Sequence, residues 1–413
     1  MKRQLAVLAT LSGLLLASAP AVAAPVASGP SGPSGPSGAS GASATAVASG
    51  GPGAPAHTPG RPPLPALPDE LNGGAWPTSH LQGVALDREK RYMYWSFTQM
   101  LVKTDLRGKV VGTVEGLTGH LGDLDLNPRD GRVYGSLEYK AEEAFYIAIF
   151  DGDRINRVGM NAERDGVMTT VYLPEVVEDF TADMDGDGHF DGDTPDTADH
   201  RYGCSGIDGV AFGPAFGKRA GQGKDTLKVA YGIYSNTERT DNDHQVILEY
   251  DVTSWRRYER PLSQTAPHHS GPSRVDGKFF AYTGNTRYGV QNLEYDPYTG
   301  DWFLAVYEGA KPGFPNYSFF VIDGSARPVT GEIVGQPERE RGKLLKVADG
   351  FDFHGQYGFQ ALGDGTYYVA DSVRVVGPDG VVRQEGFAEK YRWTGRPAGA
   401  ERTTPPFSPV VGG

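Results

Sequence analysis

The chain has 413 residues and a formal net charge of −12, and hydrophobic residues make up 38% of it. This length suffices for one large or two ordinary domains, and the acidic balance argues against nucleic acid or an anionic membrane as a partner. The single cysteine, Cys204, excludes an internal disulfide and is expected to be a buried small apolar residue.

The first residues have the pattern of a targeting segment. Lys2 and Arg3 precede an apolar stretch over residues 5–17, and small residues follow it. This pattern predicts a secretory signal peptide over residues 1–24 and a secreted, extracellular protein. A membrane anchor is the alternative, but the stretch is shorter than the roughly 20 apolar residues that a bilayer requires.

Residues 25–68 are dominated by Gly, Pro, Ser and Ala, as in "SGPSGPSGPSGASGASA". Such a segment buries too little apolar surface to offset its ordering entropy, so it is predicted to be a disordered linker. The folded domain is therefore expected over residues 69–413.

The domain opens with four short apolar segments: "LQGVALD", "RYMYWSFT", "MLVKTDL" and "KVVGTVEG". Their alternation and aromatic content favour strands, and the separators are short enough for hairpins. Four antiparallel strands within about 40 residues are typical of one blade of a β-propeller.

Further copies follow along the chain. "HLGDLDLNPRDGRVYGSLEY" is the second, and fainter copies begin at Gly206, Gly289 and Tyr357. His80 and His120 are 40 positions apart, and the interval from Gly206 to Gly289 is close to two such periods. Extrapolation predicts an all-β propeller, most simply of seven blades with four antiparallel strands each, with a β-sandwich as the structural alternative.

The segment "HLQGVALD…YMYWSFT…LVKTDLRGKVV…GHLGDLDL", within residues 79–139, resembles an uncharacterised family of secreted propellers. That family is distantly similar to the lactonase-like and quinoprotein-like propellers. The resemblance covers less than a fifth of the domain, and it implies a fold without implying a function.

The strand starts carry polar side chains, and in a propeller the starts of the inner strands meet at one mouth of the central channel. His80, His120, Arg287 and Tyr288 are therefore candidate catalytic residues. Candidate substrate-binding residues at similar positions are Gln82, Asp123, Gln291, Asn292 and Gln360, with Asp208 in the copy that begins at Gly206. Histidines at strand starts also tie loops together, so each is open to a structural role.

Imidazoles with a glutamine oxygen would suit manganese, iron or zinc. The candidate ligands for such a channel metal are His80, His120, His269, His354 and Gln356. This inventory is loosely similar to that of the metal-dependent propeller polysaccharide lyases that act on oligogalacturonate. The similarity implies β-elimination from a uronate, with a metal that neutralises the carboxylate and a base that removes the neighbouring proton.

The segment "DMDGDGHFDGDTPD" matches a calcium loop. Asp183, Asp185, Asp187 and Asp191, with the carbonyl of His189, occupy ligand positions of an EF-hand-type loop. The final ligand position holds a threonine instead of glutamate, and a solvated acidic loop is the alternative. We expect a structural calcium in an insertion near residues 181–203.

Three classes of function remain open. The first is a secreted carbohydrate-active enzyme, most concretely a metal-assisted lyase on uronate-containing glycans. The second is a lactonase-like or esterase-like hydrolase with a channel metal, and the third is a non-catalytic ligand-binding propeller. Paired carboxylates for glycoside hydrolysis cannot be selected from 51 acidic residues by sequence alone. The expected ligand is a small molecule or glycan, and the expected state is a monomer.

Overall fold

The computed structural model describes residues 66–410, so the proposed signal peptide and almost all of the proposed linker lie outside the described residues. The strands are, in chain order, β1 (Glu70–Trp76), β2 (Leu81–Asp87), β3 (Tyr92–Phe97), β4 (Met100–Asp105), β5 (Val110–Glu115), β6 (His120–Leu126), β7 (Val133–Tyr139), β8 (Ala144–Phe150), β9 (Met160–Asn161), β10 (Met168–Tyr172), β11 (Cys204–Gly213), β12 (Thr226–Ile233), β13 (His244–Tyr250), β14 (Gly277–Tyr282), β15 (Arg287–Asp296), β16 (Asp301–Tyr307), β17 (Phe319–Ile322), β18 (Val329–Glu332), β19 (Arg341–Leu344), β20 (Val347–Phe351), β21 (Phe359–Ala361), β22 (Thr366–Val376), β23 (Val382–Trp393) and β24 (Phe407–Pro409).

Helices are few. The α-helix α1 spans Pro174–Phe180, and 3₁₀ turns span Lys140–Glu142, Arg201–Gly203, Val252–Arg257 and Pro337–Arg339. Within the described residues no helix has the length and apolar character needed to cross a membrane.

The strands form five sheets, which we call blades I to V. Blade I is β2-β3-β4-β5-β9, blade II is β6-β7-β8-β10, and blade III is β11-β12-β13-β14-β19-β18. Blade IV is β15-β16-β17-β20, and blade V is β21-β22-β23-β1 with β24 on β23. The inner strands β2, β6, β11, β15 and β21 contact one another in that order, and β21 contacts β2 to close the ring. The fold is therefore an all-β propeller.

Strand β1 closes the ring by adding the N-terminal part of the domain to the last blade. Its residues pair antiparallel with β23, from Glu70 opposite Glu389 to Trp76 opposite Gln384. Lys390 Nζ also donates to the Leu67 carbonyl, and Tyr368 Oη donates to the Pro68 carbonyl. Ordered contacts thus begin at Leu67, within the last two residues of the segment that composition assigns to the linker.

The prediction of seven blades was wrong, because the structure has five. The extrapolation assumed a constant period of about 40 residues, which only the step from β2 to β6 obeys. Insertions lengthen the later blades. Helix α1 and a long loop separate β10 from β11, and a long connecting segment separates β13 from β14 in blade III. The five copies visible in the sequence correspond to the five inner strands, so the interval from Gly206 to Gly289 is one blade.

Polar side chains on the inner strands fasten neighbouring blades together. Asp123 Oδ2 accepts hydrogen bonds from the backbone N–H groups of Val210 and Leu293, each at 3.0 Å. Gln360 Oε1 accepts from Leu86 N–H across the junction between blades V and I. Because buried backbone donors must find partners, these contacts satisfy strand edges that blade pairing leaves free.

Apolar and aromatic side chains fill the spaces between blades. Trp95, Phe97 and Tyr368 are fully buried near the junction of blades V and I, and Trp302 is fully buried near the junction of blades III and IV. The burial of this apolar surface stabilises the fold. The polar residues at the strand starts are therefore not required for core packing and can bind a ligand.

Candidate functional site

A cavity of about 700 Å³ lies at the end of the ring where the inner strands begin, and we call it the mouth cavity. Its size is that of a small-ligand site. The polar and aromatic residues that line it are His80, Gln82, Thr118, His120, Glu138, Tyr139, Lys140, Glu142, Ser205, Asp208, Tyr288, Gln291 and Tyr307. The structure therefore brings together six of the predicted site residues: His80, Gln82, His120, Asp208, Tyr288 and Gln291.

Irregular strand pairing aims several of these side chains. The register shifts between Leu81 and Gly83, between Ile207 and Val210, and between Val290 and Asn292. Gln82, Asp208 and Gln291 lie at these three shifts. Bulges re-aim side chains and are frequent beside functional sites, which accounts for the polar residues that enter the cavity from otherwise apolar strands.

A charged group on blade II forms part of the cavity wall. His120 pairs with Glu138 across β6 and β7, and its Nδ1 lies 3.3 Å from Glu138 Oε1. Lys140 Nζ lies 3.5 Å from the same oxygen, and Glu138 Oε2 accepts from Ile207 N–H at 3.1 Å. Burial raises the pKa of Glu138, but Lys140 and His120 outweigh it, so the net pKa is lowered. Glu138 is therefore ionised at neutral pH.

The pKa of His120 is raised in the fold. Burial lowers its pKa, but the contact with Glu138 and the nearby carboxylate of Asp208 outweigh burial, so the net pKa is raised. A histidine whose pKa lies above its ordinary value carries charge close to neutral pH.

Asp208 on β11 has the opposite environment from Glu138. Its side chain is 6% exposed, and Oδ1 has no hydrogen-bond partner among the described residues. Burial raises the pKa of Asp208 to about 7, with Glu138 adding to the shift and His120 opposing it. A carboxyl group with a pKa near 7 is partly protonated at neutral pH, and Asp208 shares its cavity with an ionised glutamate.

Blade I contributes His80 and Gln82. His80 Nδ1 lies 2.9 Å from the Leu81 carbonyl, which fixes the tautomer with the proton on Nδ1 and leaves Nε2 as an acceptor. Gln82 Nε2 donates to Thr98 Oγ1 at 3.0 Å. These residues are positioned polar groups suited to holding ligand hydroxyls.

Four predicted residues lie outside the cavity lining. Asp123 and Gln360 fasten blades, as described above, and Asn292 Nδ2 donates to the carbonyls of Gln82 and Gln356 while its Oδ1 accepts from Phe359 N–H. Arg287, the first residue of β15, is exposed. In the structure the first three satisfy inter-blade hydrogen bonds, and none of the four is placed to contact a ligand in the cavity.

The predicted channel-metal ligands do not converge. His269 stacks on Tyr172 at the outer strand of blade II, and His354 Nε2 lies 3.7 Å from Asp371 Oδ2 and 3.4 Å from Tyr391 Oη. Gln356 Oε1 accepts from Gly355 N–H. Among residues 66–410, His80 and His120 are not part of any group of three histidine, cysteine or carboxylate donors close enough to share an ion.

The acidic loop after α1 has a different geometry. Carboxylate oxygens of Asp183, Asp185 and Asp187 lie within 4.8 Å of one another, and all three residues are exposed. His189 N–H donates to Asp187 Oδ1 at 2.7 Å. Asp191 accepts instead from Thr197 Oγ1, so three of the predicted calcium ligands approach one another and the fourth carboxylate has another partner.

Sequence analysis missed Glu138, Lys140 and Tyr307. All of β7 is buried, so no polar and apolar alternation marks Glu138 as facing the channel. The signal that was available is a single acidic residue in the apolar segment "VYGSLEY", at the position that pairs with His120. A carboxylate in such a strand needs a cationic or hydrogen-bonding partner.

Comparisons with known proteins bear on the fold alone. No protein-family model matches the chain, and no curated protein matches it in sequence. A luciferin-regenerating enzyme is similar at 12% identity, covering 76% of this chain and 92% of its own, with a TM-score of 0.32. The Dos1 propeller (10% identity, 75% and 78% covered, TM-score 0.31) and the hydrazine synthase of Kuenenia stuttgartiensis (13%, 72% and 78%, 0.31) are comparable. Scores this low carry no argument. The strands themselves define the class of protein, which is a five-bladed β-propeller with a polar mouth cavity.

Proposed function

We propose that the protein is a carbohydrate-active hydrolase that cleaves a glycosidic bond in the mouth cavity. The observation that carries this proposal is the pair of buried carboxyl groups, Asp208 and Glu138, whose environments shift their pKa values in opposite directions. In glycosidases the acid is a carboxyl group with a raised pKa, and the base is a second carboxyl group that stays ionised. The opposite pKa shifts of Asp208 and Glu138 match these two roles.

In this mechanism the protonated Asp208 gives its proton to the oxygen of the departing sugar as the glycosidic bond breaks. The ionised Glu138 supports the positive charge that develops on the remaining sugar and takes a proton from the attacking water, or bonds to the sugar carbon before water replaces it. His120 and Lys140 keep Glu138 ionised. One water is consumed, and its hydrogen and hydroxyl are divided between the two products.

Hydrolysis fits the cavity better than uronate elimination. Elimination requires a cation to neutralise the substrate carboxylate. Lys140 is the only lysine or arginine in the lining, and it already faces Glu138, as does His120. We therefore favour a neutral sugar over a uronate. Since the predicted histidine ligands are dispersed, no step depends on a manganese, iron or zinc ion.

The proposal is tested with a panel of neutral oligosaccharides, uronate polysaccharides and lactones. We expect the protein to release reducing sugar from a neutral oligosaccharide. Asp371→Asn should keep this activity, and Asp208→Asn should lose it. Asp371 is the matched control because burial raises its pKa and a neighbouring histidine opposes the shift, as for Asp208, but it lies outside the cavity lining. An ultraviolet-absorbing unsaturated product would identify a lyase, and acid release from a lactone would identify a lactonase. Binding without turnover of any substrate would favour the ligand-binding propeller.

We also propose a structural calcium at Asp183, Asp185 and Asp187, supported by the approach of their carboxylates and by the sequence pattern. Replacing Asp183 and Asp185 by alanine should lower the melting temperature in calcium and change it little in chelator, because a ligand stabilises only the state that binds it. The control replaces the exposed Asp364 and Asp379. Equal loss of stability with calcium and with chelator would exclude the site.

Secretion and a monomeric state complete the proposal. Secretion depends on residues 1–24, whose sequence pattern is that of a signal peptide. Fractionation of cells that express the full chain tests it directly.

A further inference from the structure

Tyr288 occupies a strained position at the rim of the mouth cavity. Its φ is +69°, in the left-handed region that residues with a bulky side chain rarely adopt. Gly289 follows with φ +78°, and a Cβ at that position would lie 2.3 Å from the Tyr231 carbonyl. The chain therefore turns sharply here, and the turn leaves the Tyr288 side chain 59% exposed.

The cavity itself holds this conformation. Gln291 Nε2 donates to the Tyr288 carbonyl at 3.2 Å, and the ring of Tyr307 meets that of Tyr288 edge to face, with centroids 6.1 Å apart. Both partners line the cavity. Strain that neighbouring groups maintain is characteristic of functional positions, and its result here is an aromatic face presented at the rim.

The Tyr288 ring and the Asp208 carboxyl group lie at different depths in the mouth cavity. Asp208 is 6% exposed and Tyr288 is 59% exposed, although both line one cavity. A ligand with one sugar at Asp208 must project its departing group outward, toward the rim. Tyrosine offers an apolar face with a polar edge, which matches the alternating C–H and hydroxyl surface of a sugar ring.

We propose that Tyr288 is the stacking platform for the departing sugar, so that the substrate has at least two sugar units. This inference rests on the proposed hydrolase, with Asp208 acting at the bond between the two units. Tyr288 then binds the part of the substrate that leaves and takes no part in proton transfer.

The test compares a disaccharide with the glycosyl fluoride of the same sugar, which lacks a second ring. We expect Tyr288→Ala to lower kcat/KM for the disaccharide about tenfold and to leave the fluoride within about twofold. Tyr288→Phe should retain both activities because it keeps the aromatic face. Tyr298→Ala, at a tyrosine with 41% exposure outside the cavity, is the control. Equal effects of Tyr288→Ala on both substrates would overturn the proposal.

A binding measurement separates this proposal from the proposed reaction. Calorimetry with xylobiose, cellobiose and lactose compares Asp208→Asn with Asp208→Asn/Tyr288→Ala, both of which should turn over substrate too slowly to disturb the titration. We expect one of the three to bind the single variant about tenfold more tightly. If one disaccharide shows this difference in affinity and the wild type does not cleave it, the proposed hydrolase activity is wrong and the stacking role of Tyr288 is supported. Equal affinity for both variants, or binding to neither, overturns the platform.

Discussion

Asp208→Asn should lower kcat/KM on the preferred oligosaccharide by about 10²- to 10⁴-fold, the usual contribution of a general acid. The amide has nearly the same shape as the carboxyl group but has no proton to give. Glu138, His120 and Lys140 keep their contacts with one another, so substrate binding should change much less than turnover. A loss below about threefold would show that Asp208 is not the acid.

The pH profile gives a second measure of the same role. Because the pKa of Asp208 is about 7, wild-type kcat/KM should fall about tenfold per pH unit above neutrality as the acid loses its proton. The lowered pKa of Glu138 places the acidic limb below the ordinary glutamate range. The residual activity of Asp208→Asn should lack the alkaline limb. A wild-type rate that is flat from pH 6 to 9 would contradict the assignment.

Unfolding measurements test whether Asp208→Asn is folded. The difference in stability between this variant and wild type should change with pH in a definite direction. The pKa of Asp208 is 3.8 in its ordinary state and about 7 in the fold, so the stability associated with its proton is fully present below about pH 4 and is lost as pH rises through 7. Asp208→Asn should therefore match wild type below about pH 4 and exceed it increasingly as the pH rises to 7, by on the order of 4 kcal/mol at pH 8. Lower stability of the variant at pH 8 would mean that ionised Asp208 has a partner.

The sequence predicted the elements of the fold better than their number. The four segments from "LQGVALD" to "KVVGTVEG" coincide with β2 to β5, because side-chain alternation and turn residues are local signals. Blade count depends instead on how much chain each blade absorbs in insertions. The acidic pattern near residues 181–203 marks the loop after α1 as an insertion, but the long segment between β13 and β14 carries no such signal.

Prediction from sequence indicates which side chains reach the cavity only where the strand start itself determines their location. His80, Gln82, His120, Tyr288 and Gln291 reach the cavity because the starts of inner strands converge. It did not distinguish side chains that face a ligand from those that face a neighbouring blade, since the bulges that set this direction leave no mark in sequence. Asp123 and Asp208 occupy similar starts, yet three backbone N–H groups donate to Asp123, whereas Oδ1 of Asp208 has no hydrogen-bond partner within residues 66–410.

Gly122 shows how closely the cavity is built and provides a test that leaves the catalytic residues unchanged. It lies on β6 between His120 and Asp123. A Cβ at this position would lie 2.2 Å from Asp208 Oδ1 and 2.4 Å from Ser136 Oγ, and Ser136 Oγ itself donates to the Asp208 carbonyl at 2.6 Å. Only glycine leaves room for Asp208 in its present position.

Gly122→Ala should therefore reduce turnover about as much as Asp208→Asn does, with a loss of about 1–3 kcal/mol of stability from overpacking. Gly331→Ala is the control, because its new methyl group would meet only the flexible side chain of Leu344. If the methyl group acts by displacing the acid, Gly122→Ala/Asp208→Asn should be no slower than Asp208→Asn alone, since effects through one shared group are not additive. Multiplying losses in the double variant would show that Gly122 acts through another part of the cavity. Full activity in Gly122→Ala would show that the position of Asp208 does not matter to turnover.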